Sequence, residues 1–260
     1  MIASEVHGLS THQRAVGDRI VAEEGAKREH VVVYLSGAHA FGFPSPDEGL
    51  DLKAVHVAPT GALVGLTPPQ PSYERSDVFD GVTVAYASNE IAHVLSGVLD
   101  GNGSFVERLL GRTALATSPA LEELRPLVRA SLSRRLYRHY RALATNQAEA
   151  LEVEPTVERL LYVLRTALTG THLLRTGELE TNLFTLADAY ELRDVRELVE
   201  ARRAGERTSA NPAVVDVWRG RVEEVLGRLD SALQRSVLPE EPRDVVALEG
   251  WLLALRKARF

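Results

Sequence analysis

Apolar positions change period part-way along this 260-residue chain. Residues 31–35, VVVYL, are a short run of β-branched and large apolar side chains, which predicts a buried strand. A loop rich in Gly, Pro and Ser leads to a second predicted strand, residues 52–57, and a third is predicted at residues 81–87 (GVTVAYA) after a turn at 79–81. Ahead of the first strand, Val6, Leu9, Val16, Ile20 and Val21 fall near helical spacing and predict a helix over residues 5–27. Residues 58–71 read as loop, and residues 91–99 as helix. Beyond Arg112 strand signals stop, and helical periods run over residues 120–150, 157–176, 183–187, 194–204, 212–236 and 242–258. Pro155, Gly177, Gly205, Pro212 and Pro239 punctuate them. The fold class expected is α/β followed by all-α. A small mixed β-sheet domain is expected over residues 1–112, and a C-terminal helical bundle over residues 113–260 forms the other wall of a cleft.

Composition narrows the chemistry. The chain is long enough to bury a sizeable core, and 45% hydrophobic with 25% charged residues is an ordinary globular balance. A net charge of −6 argues against a generally basic surface while leaving room for a local basic groove. The absence of cysteine excludes disulfides, zinc–thiolate sites and cysteine nucleophiles. No apolar run reaches membrane-spanning length, and the first twenty residues lack the basic and apolar regions of a signal peptide, so a cytoplasmic protein without a membrane partner is expected. The sequence leaves the oligomeric state open. G-x-S-x-G, H-E-x-x-H, Walker A and G-x-G-x-x-G patterns are all missing.

The chemistry that remains lies in residues 31–57, ordered as strand, glycine turn, loop, acids and strand. Gly37 lets a backbone approach a triphosphate closely. Asp51, at the start of the second strand, and Asp47, in the loop before it, are candidate catalytic acids and Mg2+ ligands, because Mg2+ prefers carboxylate oxygens together with substrate phosphates. Ala38, His39 and Lys53 flank the turn and the acid, and Arg165 and His172 sit seven residues apart on a later helix; all five are candidates to meet a nucleotide. The run of arginines from Arg125 to Arg141 either tracks a phosphate backbone or is a solvated helix face.

This stretch resembles the nucleotidyltransferase superfamily that includes DNA polymerase beta, whose pattern is Gly-Ser, a spacer, then Asp-x-Asp. More closely it resembles the bacterial and phage nucleotidyltransferases of the RNA-repair-pathway type, in the frame Gly37, Ala38, His39, Ala40, Phe41, Gly42, a Pro-rich spacer, Asp47, Glu48, Gly49, Leu50, Asp51. Later matches are Gly101-Asn102-Gly103 with Glu107, and Arg165, Thr169, Gly170, Leu173, Leu174, Thr176 and Gly177. The resemblance implies transfer of a nucleoside monophosphate from an NTP to a hydroxyl of RNA, DNA or a protein acceptor, with Mg2+ as cofactor. Three departures stand against it. Ala38 replaces the family's serine, Gly49 replaces the first acid of the metal pair, and the third strand offers Val82, Thr83, Val84 and Ala85 where the third acid belongs. The alternative is a catalytically silent relative that binds nucleotide, RNA or a protein partner in repair, defence or toxin–antitoxin function. If the motif has only lost residues, Gly49→Asp is expected to restore an Asp-x-Asp pair with Asp51, both side chains on one face.

Overall fold

A computed structural model describes residues 8–192, 194–203 and 212–260. In chain order the elements are α1 (Thr11–Gly25), β1 (Glu29–Leu35), α2 (Gly37–Phe41), β2 (Leu50–Val57), α3 (Thr60–Leu63), β3 (Ser72–Phe79), β4 (Val82–Glu90), α4 (Ile91–Leu99), α5 (Gly103–Leu110), β5 (Ala114–Thr117) and α6 (Pro119–Ala130). Then come α7 (Leu136–Val153), α8 (Val157–Thr176), α9 (Leu183–Ala189), α10 (Val195–Arg203), α11 (Pro212–Gln234) and α12 (Val245–Lys257). The chain divides into two compact units. One holds the residues up to Ala40, Glu48–Leu132 and Pro242–Phe260; the other holds Phe41–Asp47 and Ser133–Glu241.

The first unit is built on a mixed five-stranded sheet in the order β3-β4-β2-β1-β5, with β2 and β4 parallel and the other pairs antiparallel. Alternation along each strand sorts the side chains between faces. Leu50, Leu52 and Ala54 of β2 join Val33 and Leu35 of β1 and Val82, Val84 and Tyr86 of β4 in a core closed by Val16 and Ile20 of α1. A capping box fixes the start of α1: the Ser10 hydroxyl accepts from the Gln13 N–H, and the Gln13 side chain accepts from the Ser10 N–H. The opposite face carries Asp51, Lys53, Ala85, Ala87 and Asn89, and α5 packs on that side, where Arg108 donates to the Asn89 side chain.

The second unit is helical and centres on α8, which is buried along most of its length. A Cβ at Gly170 would fall 2.7 Å from Tyr140 of α7 and 3.0 Å from Leu229 of α11, so glycine sets how closely three helices meet. Phe41 and Phe43 pack edge-on against Tyr162 of α8, with centroids 5.9 and 5.4 Å away.

Several expected boundaries move. The first helix begins after Ser10, and residues 5–7 lie outside the described residues. β3 was expected as neither strand nor loop. Its residues, SYERSDVF, are almost all exposed, and backbone pairing with β4 through the Asp80–Gly81 turn holds it as an edge strand. β5 falls beyond Arg112, where strand signals had been expected to stop, and its four residues pair with β1. The predicted helix 120–150 is two helices, α6 and α7. In the sheet unit α12 packs near α6, with Trp251 Nε1 3.3 Å from a Glu123 carboxylate oxygen and Arg256 bonded to Glu90 and to the Ala58 carbonyl.

Candidate functional site

Gly37 opens α2 with φ +66°, a conformation that costs other L-residues free energy, so its glycine is required by the turn itself. The Ser36 N–H donates to the Asp51 carbonyl at 2.7 Å, pinning the turn to the start of β2. Ala38 and His39 are both buried.

Asp51 and Lys53 project from the same face of β2, and the Lys53 Nζ lies 2.8 Å from Asp51 Oδ1. Across the parallel pairing, Asp51 stands beside Ala85 and Lys53 beside Ala87. One strand further out, Ser76 and Glu74 of β3 continue those two rows. Of the four β4 positions where the third acid belongs by resemblance, Val82 and Val84 belong to the α1-side core, and the one next to Asp51 is Ala85.

A second cation reaches this face from α5. The Arg108 guanidinium donates to Asn89 Oδ1, lies 5.0 Å from the Phe105 ring centroid and has its Nε buried without a hydrogen-bond partner. Burial pulls its pKa down to about 10, against the opposing pull of the Asp51 and Glu74 charges. Sequence reading missed Arg108. The available signal was its position directly after Glu107 in a segment that matched the resembled family, on a helix otherwise apolar around Phe105, Val106, Leu109 and Leu110.

Gly49 does not accept the expected repair. A Cβ there would lie 2.7 Å from the Thr83 carbonyl oxygen and 3.3 Å from Thr83 Cβ. An aspartate at this position meets the β4 backbone before its carboxylate can pair with Asp51.

Asp47, Arg165 and His172 lie in the helical unit. Asp47 is an exposed turn residue assigned to that unit, whereas Asp51 belongs to the sheet unit. Arg165 is 5% exposed, and its guanidinium carbon lies 3.4 Å from the Phe41 ring centroid. His172 is half-buried; Tyr190 lies edge-on at 6.1 Å with its hydroxyl 3.4 Å from Nδ1, and burial lowers the imidazole pKa. The arginine run is largely committed to structure. Arg125 donates to the Leu109 carbonyl, Arg134 to the carbonyls of Leu238 and Ser236, and Arg141 pairs with Asp230.

Mg2+ is the metal a polymerase-beta-type site would need. Among the described residues no three His, Cys, Asp or Glu side chains group to hold a metal ion. At Asp51 the neighbouring donor is an ammonium and the adjacent strand offers methyl groups, so these residues do not fit that ion.

Comparison with known proteins places these features. Residues 14–254 match the family described as the RNA repair pathway DNA polymerase beta family. An uncharacterized protein of Methanocaldococcus jannaschii is 24% identical over 178 residues, 66% of this chain and 72% of that protein. The crystal structure of a nucleotidyltransferase-like protein from Exiguobacterium sibiricum covers 95% of this chain and 80% of its own at 12% identity, with a TM-score of 0.34.

Proposed function

We propose, from the premise that the chain belongs to the RNA repair pathway DNA polymerase beta family, that it is a non-catalytic nucleotidyltransferase-like protein that binds a nucleoside triphosphate without Mg2+. One observation carries this reading. The carboxylate at the metal position of β2 is faced by the Lys53 ammonium at 2.8 Å, and the neighbouring β4 position is Ala85. Two-metal transfer needs ions clamping both the attacking and the leaving oxygen, and this face supplies cations of its own instead. Lys53 stands beside Asp51 and Arg108 reaches the same face at Asn89, suited to a phosphate oxygen as point charge and planar donor respectively. The Arg108 Nε, buried and unbonded, is a donor that a phosphate could satisfy.

Titration calorimetry with ATP, GTP, CTP and UTP, in Mg2+ and in EDTA, tests the proposal. The same affinity is expected in both buffers, with a loss of about tenfold or more in Lys53→Gln. No label is expected to pass from an α-labelled NTP to RNA, DNA or the protein itself. An affinity that appears only with Mg2+, or a labelled product, overturns the proposal in favour of metal-dependent nucleotidyl transfer.

A further inference from the structure

The end of the sheet away from Asp51 carries a second concavity. It lies where β1 begins, β2 ends and β3 begins, and has a volume of about 580 Å3. That is within the roughly 300–1,000 Å3 typical of small-molecule sites. All of its lining belongs to the sheet unit.

Three cations, Lys27, Arg28 and Arg259, line it with a single acid, Glu29. Arg259 is spent on that acid through two bonds, at 2.9 and 2.6 Å. Behind the wall, the buried Glu24 holds Lys27, Arg28 and Arg75 together. Arg75 also meets Glu23 at 3.5 Å and Asp77 at 4.0 Å, so Glu24 is the acid that Lys27 and Arg28 share. Arg28 is locked, with its guanidinium 4.4 Å from the Tyr73 ring centroid and Nη1 on Glu24. Lys27 is not locked: its side chain is 55% exposed, so its ammonium can turn to a ligand while Glu24 keeps two arginines.

The remaining wall is aromatic and apolar. Tyr73 is 36% exposed, with the His56 ring 5.6 Å from it, and Pro59 and Pro69 stand alongside. His56 itself is 2% exposed, and its Nδ1 bonds the Ser88 hydroxyl at 2.8 Å, which leaves Nε2 as the atom it can offer. Burial holds this imidazole neutral, with a pKa of about 4. A neutral imidazole can donate or accept, as a heterocycle edge requires.

We infer that this cleft is a second ligand site that takes a planar aromatic anion of nucleoside monophosphate size, with its ring against Tyr73 and its phosphate on Lys27. None of the residues that carry the proposed triphosphate site take part in it. The two readings therefore stand or fall separately.

Calorimetry with AMP tests the inference, with adenosine and inorganic phosphate as separate probes. AMP is expected to bind the full chain, and both fragments to bind at least about tenfold more weakly. Lys27→Gln, at an exposed side chain, is expected to weaken AMP by about tenfold with the fold kept by circular dichroism, and Tyr73→Ala to do so independently. Lys53→Gln is expected to leave AMP binding intact. No AMP binding at about 1 mM, or AMP binding that survives Lys27→Gln and Tyr73→Ala, overturns the inference. Loss in Lys53→Gln alone overturns it too, because AMP would then be occupying the other face.

Discussion

Gly49→Asp separates a motif that has merely lost acids from one whose backbone has closed over their place. The new Cβ would sit 2.7 Å from the Thr83 carbonyl oxygen, inside any normal contact. Relief requires β4 to move, and β4 is held on both sides: Ala85 pairs with Asp51 on β2 and with Ser76 on β3, and Thr83 pairs with Val78. Forcing extra atoms into packed surroundings costs about 1–3 kcal/mol, and at about 2–4 °C per kcal/mol for a chain of this size the melting temperature should fall by about 2–12 °C. Gly49→Ala should show most of the same loss, since the clash is with Cβ. Thermal melts of parent, Gly49→Ala and Gly49→Asp in EDTA and in Mg2+ measure it. The reasoning is refuted if Gly49→Asp melts with the parent in EDTA, or if Mg2+ raises its midpoint above the parent's. Either result would mean that the site accepts the acid and that ligand binding to the native state follows.

Gly37→Ala places a side chain at φ +66° and should cost about 1 kcal/mol or more, read as a lower urea midpoint; an unchanged midpoint would show that the turn relaxes freely. Arg165→Ala removes a buried stem and a cation over Phe41 and should cost about 2 kcal/mol or more. If instead stability is kept and nucleotide affinity falls, Arg165 is a ligand-binding residue. His30 and His56 have pKa values lowered by burial to about 4, from the ordinary 6.5. Between those two values the unfolded chain binds protons that the folded chain refuses, so their contribution is complete above 6.5 and is lost as pH falls toward 4. Urea midpoints should therefore drop between about pH 7 and about pH 5, and equal midpoints would contradict the burial of both imidazoles.

The fold was legible wherever burial imposed a period. β1 is buried on both faces, so its run VVVYL announced it, and α8 was found almost to the residue because Thr156 caps it and Gly177 ends it in the left-handed region. β3 was not legible, because an edge strand exposed on both faces needs no apolar alternation; pairing with β4 makes it a strand. β5 was too short to show a period. The break between α6 and α7 carries neither Gly nor Pro at Ser131–Arg135, and the Pro that does occur, Pro126, lies inside α6.

At the candidate site the sequence showed which acids were absent, but not what had replaced them. Absence is read along the chain: Gly49 and Ala38 fall in a frame that names what should stand there. Replacement is read across the sheet. Lys53 matters because two residues on from Asp51 in a strand is the same face, and because β4, arriving parallel after an antiparallel hairpin, brings Ala85 and Ala87 beside the pair rather than carboxylates. Arg108 comes from a helix on the far side of β4 in sequence, held by Asn89, which nothing in the sequence had singled out. Lys53 lies 2.8 Å from Asp51, and Arg108 reaches the same face at Asn89, so the cations this face holds are side chains of the chain itself. A substitution that added an acid at Gly49 would then be opposed by the Thr83 backbone, whatever attraction the cations of this face offer its carboxylate.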